Sequence, residues 1–228
     1  MRQRPLWFFG ILIVTQFAFA DVEPPAIKEM ALAEELHSRV QSEQALRQRV
    51  VEFTAAHNLT DGTVDLEKLG PKVTTEFKDL TDRLKDEDRQ NLIWLKAVVS
   101  KHGWPGKSLV GGQAAKDAWL LVQHADQDRE FQQQCLNRMQ ALPKGEVDPR
   151  DIAYLTDRVL VGTGKKQTYG TQLIFQNGRL VPQPIENADE VDQRRKAAGL
   201  EPLNEYLKAA EKAYLPAKST PATNGNSK

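Results

Sequence analysis

The chain has 228 residues with 31 basic and 31 acidic side chains, long enough for one large domain or two small ones with a real core. That balance, with no clustered basic face, removes the electrostatic case for a nucleic-acid partner. Cys135 is the only cysteine, so the chain can form no internal disulfide and packing alone must hold it together.

The first twenty residues, MRQRPLWFFGILIVTQFAFA, read as a signal peptide spanning 1–20. Arg2 and Arg4 give the basic start, Leu6 to Val14 the apolar run, and Ala18-Phe19-Ala20 the small-x-small pattern before Asp21. An uncleaved anchor is the alternative, but the run is short against the roughly 20 apolar residues of a spanning helix. No Cys lies near the cut, which argues against a bacterial lipoprotein. Cleavage leaves no stable membrane span and places the mature chain in the periplasm or outside the cell, with 29 basic against 31 acidic residues. Asn58-Leu59-Thr60 fits a glycan acceptor, which matters only in a host that glycosylates.

Residues 21–70 read as a helical N-terminal segment. Leu32, Leu36, Val40, Leu46, Val50 and Phe53 form a loose stripe over 26–57, and NLTDG (58–62) breaks it. The main domain is expected over 71–215. A helix from Pro71 carries Val73, Phe77, Leu80, Leu84, Leu92, Leu95, Val98 and Val99 inward, and His102-Gly103-Trp104-Pro105 stops it. After a glycine-rich loop (103–112), a long helix is expected over 113–142. Asp148-Pro149-Arg150-Asp151 then starts another, running to about Val161. In QTYGTQLIFQNGRLVPQP (167–184) the period changes. Asn177-Gly178 predicts a hairpin with strands near 168–176 and 179–182. Short helices over 187–199 and 202–215 follow, and 216–228 has the composition of a disordered tail. The fold class is mainly α with one small β-hairpin.

Within the long helix, alternating steps of four and three give Ala114, Ala118, Leu121, Ala125, Asp128, Gln132, Cys135, Met139 and Leu142. Asp128 and Gln132 interrupt this apolar seam, and His124 lies one turn before Asp128. A buried carboxylate without partners costs several kcal/mol. The seam therefore either holds a satisfied internal network that fixes helix register or lines a wet cleft, where His124 acts as general base and Asp128 orients it. Cys135 on the same stripe reads as a small core residue.

In IAYLTDRVLV, consecutive Asp157 and Arg158 point about 100° apart on a helix, so each needs a partner elsewhere. GTGKKQTYGTQ (162–172) is not a P-loop, because the fixed Gly-Lys-Ser/Thr spacing is absent. Strand alternation puts Gln167 and Tyr169 on one face and Gln172 on the other, unless Gly170 marks a bulge. Asn91 breaks the seam of the second helix and is a further candidate lining residue. His37 and His57 read as exposed, and His102 favours a helix C-terminus. No set of His, Cys and acidic residues shows metal-ligand spacing, and no cofactor is expected.

Five blocks in order, HGWPGKSLVG (102–111), AWLLVQHADQDREFQ (118–132), IAYLTDRV (152–159), QTYGTQ (167–172) and VDQRRKAAGLEPLNEY (191–206), resemble an uncharacterised bacterial domain family. It is one of the domain-of-unknown-function groups, often found in exported proteins. The resemblance covers roughly residues 80–210 and implies one domain, with no activity, cofactor or catalytic residue to carry over.

The residues themselves set two expectations. In the first, a hydrolase or lyase acting outside the cytoplasm uses His124 as base, Asp128 as orienter and Arg158 to bind an anionic or carbonyl group. Asp157, Gln167, Tyr169, Gln172, Gln132 and Asn91 would then position the substrate. In the second, the same cleft belongs to a non-catalytic exported module that holds a small molecule or a peptide end.

Overall fold

The computed structural model describes residues 27–57, 59, 69–176 and 179–214. The expected signal segment, most of the NLTDG break, the Asn177-Gly178 turn and the tail 216–228 lie outside the described residues.

Leu36, Val40, Val50 and Phe53 recur at helical spacing in α1 (Met30–Ala56), and all four are buried. Pro71 opens α2 (Pro71–His102), which runs through Asp86–Asp88 without a kink, and Gly103 (φ 75°) caps it. α1 packs on both α2 and α3 (Lys107–Gln123). Its N-terminal half supplies Ala33, Leu36 and Val40 to the main core, beside Leu92, Leu95, Val99, Val110 and Leu121. Its C-terminal half packs on the first half of α2, where among the described residues Val50, Phe53, Leu59, Phe77, Leu80 and Leu84 form a second, smaller core. The two cores are separated along α1 and α2 by polar residues.

Gly111 interrupts α3 with φ 83°, and a Cβ there would stand 2.9 Å from Ile27 Cδ1. Close approach and left-handed backbone together explain the glycine. The expected loop 103–112 thus ends in a turn of helix and a kink.

The single helix expected over 113–142 is two. α3 ends at Gln123, and α4 (Arg129–Ala141) starts after a tight turn. Asp128 is its N-cap, accepting from the Phe131 backbone N–H at 2.9 Å, and Lys96 pairs with the other carboxylate oxygen. QHADQD is therefore a corner rather than a polar patch on a continuous helix. The stepped seam still faces inward on both sides of the corner: Ala114, Ala118, Leu121, Ala125, Gln132, Cys135 and Met139 are all buried. A five-residue turn has replaced little more than one helical turn, so the phase of the pattern survives.

α5 (Pro149–Gly162) begins as the sequence implies. Asp148 accepts from Arg150 N at 2.9 Å, Pro149 follows, and Asp151 lies in the first turn. The chain then makes a loop over 163–172 and a hairpin of β1 (Leu173–Gln176) and β2 (Arg179–Pro182), antiparallel with Ile174 opposite Val181. The first strand is shorter than 168–176 because Gly170 turns the chain at φ 74°, where a Cβ would meet Ile185 and Leu203 at 2.9 Å. A single 3-10 turn (Ala188–Glu190) leads into α6 (Val191–Ala197), and α7 (Leu203–Tyr214) packs on β2 and α6. Among the described residues no helix is long and apolar enough to cross a membrane.

Because Asp128 caps α4, Asp128→Ala is expected to cost about 1 kcal/mol in urea unfolding while Asp128→Ser retains most of the stability. Equal losses in the two variants would remove the capping role.

Candidate functional site

The stripe of α1 contains two charged positions. Stepping from Val40 to Val50 lands on Glu43 and Arg47, and both are buried, at 0% and 5% exposure. Arg47 Nε donates to Glu43 Oε1 at 2.6 Å, and its Nη2 donates to Asp88 Oδ1 of α2 at 2.6 Å. His124, at the C-terminus of α3, brings Nδ1 against Glu43 Oε1. One donor atom each from Glu43, Asp88 and His124 lie within 4.8 Å of one another. On the neighbouring turn Asn91 accepts from Arg39 Nη1 at 3.1 Å, with the Arg39 guanidinium over the Trp94 ring at 4.5 Å. This layer lies between the two apolar cores.

Burial raises the Glu43 carboxyl, but His124 and Arg47 outweigh it and hold it at about 2. Asp88 is pushed up to about 7, by burial first and by the Glu43 charge, against the pull of Arg47. Burial lowers the His124 pKa, with the Glu43 carboxylate opposing it.

A second centre adjoins the corner. Arg158 of α5 grips Asp126 with two donors, Nε to Oδ1 at 2.8 Å and Nη2 to Oδ2. Arg129 bridges Asp126 (2.7 Å) and Gln132 (2.8 Å). Gln132, fully buried, donates to the Val122 carbonyl at 2.9 Å and so ties α4 back to the end of α3. Burial tends to raise Asp126, yet Arg158 and Arg129 hold it below the usual carboxylate range.

Asp157 points elsewhere. It is fully buried and accepts from the backbone N–H groups of Thr168, Tyr169 and Thr171 and from the Thr171 hydroxyl, at 2.7–3.1 Å. Burial raises its pKa while these donors pull it down. Gln167 is also fully buried. Its Nε2 donates to the carbonyls of Gln172 (3.0 Å) and Gln183 (2.8 Å), and its Oε1 accepts from Gln172 N at 2.8 Å. The Gln172 amide reaches the Thr171 hydroxyl at 3.1 Å. Gly170 thus folds 167–172 around the Asp157 carboxylate, which shapes the loop from inside.

The sequence places nine candidate residues around one cleft, and the structure divides them. His124 joins Glu43, Arg47 and Asp88. Arg158 and Gln132 meet at Asp126. Asp128 caps a helix and pairs with Lys96, so it does not orient His124. Asp157, Gln167 and Gln172 are engaged by the 167–172 loop and its surroundings. Asn91 lies beside Arg39. Asp157 and Arg158 do find separate partners, as their angular offset requires. Tyr169 is the candidate that lines open space: with Pro149, Ile152, Arg194, Ala197 and Ala198 it bounds a groove of about 300 Å³ between α5 and α6. Arg194 is anchored beside it by the carbonyls of Thr168 (2.9 Å) and Glu186 (2.6 Å). Cys135 is fully buried, and burial pushes its thiol up to about 12, which keeps it a packing residue.

A linear pattern does not mark Glu43, Arg47, Asp88 or Asp126 as a group. The first two were within its reach, because the stepping used for the long helix finds them on α1. Asp88 and Asp126 become partners only through tertiary contacts.

Replacing Asp157 by Asn turns one acceptor oxygen into an NH2 group that faces backbone N–H donors. The expected loss is about 3 kcal/mol or more in urea unfolding, with faster hydrogen exchange at Thr168, Tyr169 and Thr171. A loss under about 1 kcal/mol would contradict this role for the carboxylate.

Asp151 of α5 is buried against Lys116 and raised to about 6, by burial first, with Lys116 opposing. A carboxyl whose folded pKa lies above its unfolded value binds its proton more tightly when folded. Relative to Asp151→Asn, the native chain should gain about 1 kcal/mol of stability as pH falls from 7 to 5. A flat difference in denaturant midpoints over that range would refute the shift.

A model of a family of unknown function, DUF6624, matches residues 30–218. Neither a curated protein nor a solved structure matches the chain. The matched span takes in α1, the polar layer, the Asp126–Arg158 centre and the groove, and covers most of the chain. The protein therefore belongs to the DUF6624 family, a family of unknown function.

Proposed function

We propose that this chain is exported, is cut after Ala20, and acts outside the cytoplasm as a small-ligand or peptide-end binding module whose site is the groove beside Tyr169. The single observation that carries this reading is the composition of that groove. Pro149, Ile152, Ala197 and Ala198 give an apolar lining, to which Tyr169 adds an aromatic ring and Arg194 a cation whose Nη1 also lies 3.6 Å from Glu190. A mostly apolar hollow with few polar groups suits a small ligand that buries an aliphatic body and presents an anionic group to Arg194. Its volume, about 300 Å³, suits something the size of one or two amino-acid residues.

Binding is favoured over hydrolysis or lyase chemistry by the fate of the named base. A general base needs an orienting partner and a reachable proton. His124 is buried against Glu43, and Asp128 is committed to Phe131 and Lys96. The groove itself brings no base and nucleophile together.

Small carboxylates, N-acetylated amino acids and di- and tripeptides are the ligands to screen by thermal shift. A true ligand at about 100 times its Kd should raise Tm by roughly 5–10 °C. Ala197→Trp, which fills the groove, should abolish the shift, and no product should accumulate. A shift that survives Ala197→Trp, or turnover of the bound compound, would overturn the reading. Export is read separately by mass spectrometry of the chain produced in a bacterial host: a periplasmic or extracellular protein beginning at Asp21 is expected, and an intact cytoplasmic chain refutes it.

A further inference from the structure

The polar layer between the two cores contains more than an ion pair. Three helices each contribute one metal-competent side chain to it: Glu43 from α1, Asp88 from α2 and His124 from the end of α3. Their donor atoms lie within 4.8 Å of one another, a spread that closes onto a single ion through small side-chain rotations. The Glu43 side chain is 0% exposed, His124 5% and Asp88 17%, so the three face each other and not bulk water. His124 supplies an independent pointer. Its Nδ1 is buried and pressed against the Glu43 carboxylate without meeting it in hydrogen-bond geometry. A buried imidazole nitrogen without an aligned partner is costly unless something else satisfies it.

We infer that Glu43, Asp88 and His124 form a divalent transition-metal site, best suited to zinc, that fastens α1, α2 and α3 together where the second core departs from the first. Two carboxylate oxygens and one imidazole nitrogen from three separate helices are a zinc-type donor set, with a fourth position left for water. Charge supports the same assignment. The two carboxylates together carry −2 when ionised, and the single charge of Arg47 neutralises half of it. A divalent cation neutralises all of it, so Arg47 competes with the metal for the same oxygens. The site is independent of the groove proposed for the ligand, which lies between α5 and α6.

The test uses the full chain stripped with a chelator and titrated with zinc chloride by calorimetry, with metal content measured after dialysis. One equivalent should bind with a Kd in the micromolar range or tighter, and Tm should rise. His124→Gln and Asp88→Asn should each weaken binding at least tenfold. Arg47→Met should strengthen it, because the competitor is gone. His37→Gln, which alters the separate His37–Asp117 pair on α1 and α3, should change nothing. Circular dichroism of the metal-free variants checks their folding. Should the layer variants fail to fold, the cobalt-substituted native chain decides, since three-ligand coordination with one nitrogen gives intense visible absorption that six-coordinate aqueous cobalt lacks. Absence of stoichiometric binding, binding that survives both layer substitutions, loss of binding in His37→Gln, or a cobalt spectrum matching the aqueous ion would each overturn the proposal.

Discussion

Arg47 bridging Glu43 and Asp88 is the contact on which the arrangement of the first three helices depends. A carboxylate with no exposure survives only if its charge is answered at hydrogen-bond distance, because the effective penalty for a buried ion is several kcal/mol. That requirement fixes α1 against α2 in register. A slip of one residue on either helix would separate the guanidinium from an oxygen 2.6 Å away. His124 adds α3 to the same point. The apolar side chains on either side of the layer are interchangeable in a way these groups are not.

The second organising device is the pair Asp157-Arg158. Two neighbouring residues on one helix turn in different directions, and each is the hub of a different neighbourhood. Arg158 draws in the corner between α3 and α4 through Asp126, and Asp157 collects the N–H groups of the 168–171 turn, whose two ends pair with 183–186. α5 thereby links the helical body to the hairpin and to α6. The groove beside Tyr169 is a by-product of this linkage. Its Tyr169 wall stands where it does because Asp157 holds the backbone of that residue.

Local signals in the sequence suffice where local physics decides. Pro71, Gly103, Asp148-Pro149 and the period change near 167 correspond to a helix start, a helix end, a capped start and a hairpin. The 4,3 stepping also placed Ala114 through Met139 on the buried face. The long helix failed at QHADQD because a capping Asp and a polar seam Asp look alike in a linear pattern. What separates them is whether the following N–H groups are free to turn toward the carboxylate, and Phe131 N is.

Short-range pattern is enough for the helical content, the hairpin, the inward faces of α1 and α2, the stepped seam of α3 and α4, and the need of Asp157 and Arg158 for separate partners. These follow from periodicity, caps and the angular spacing of side chains, all properties of a few consecutive residues. The identity of those partners comes from the folded packing. Glu43, Asp88 and His124 are far apart along the chain, as are Asp126 and Arg158, and nothing local encodes their meeting. Charge complementarity across helices is settled by packing, after the apolar faces have chosen which surfaces touch.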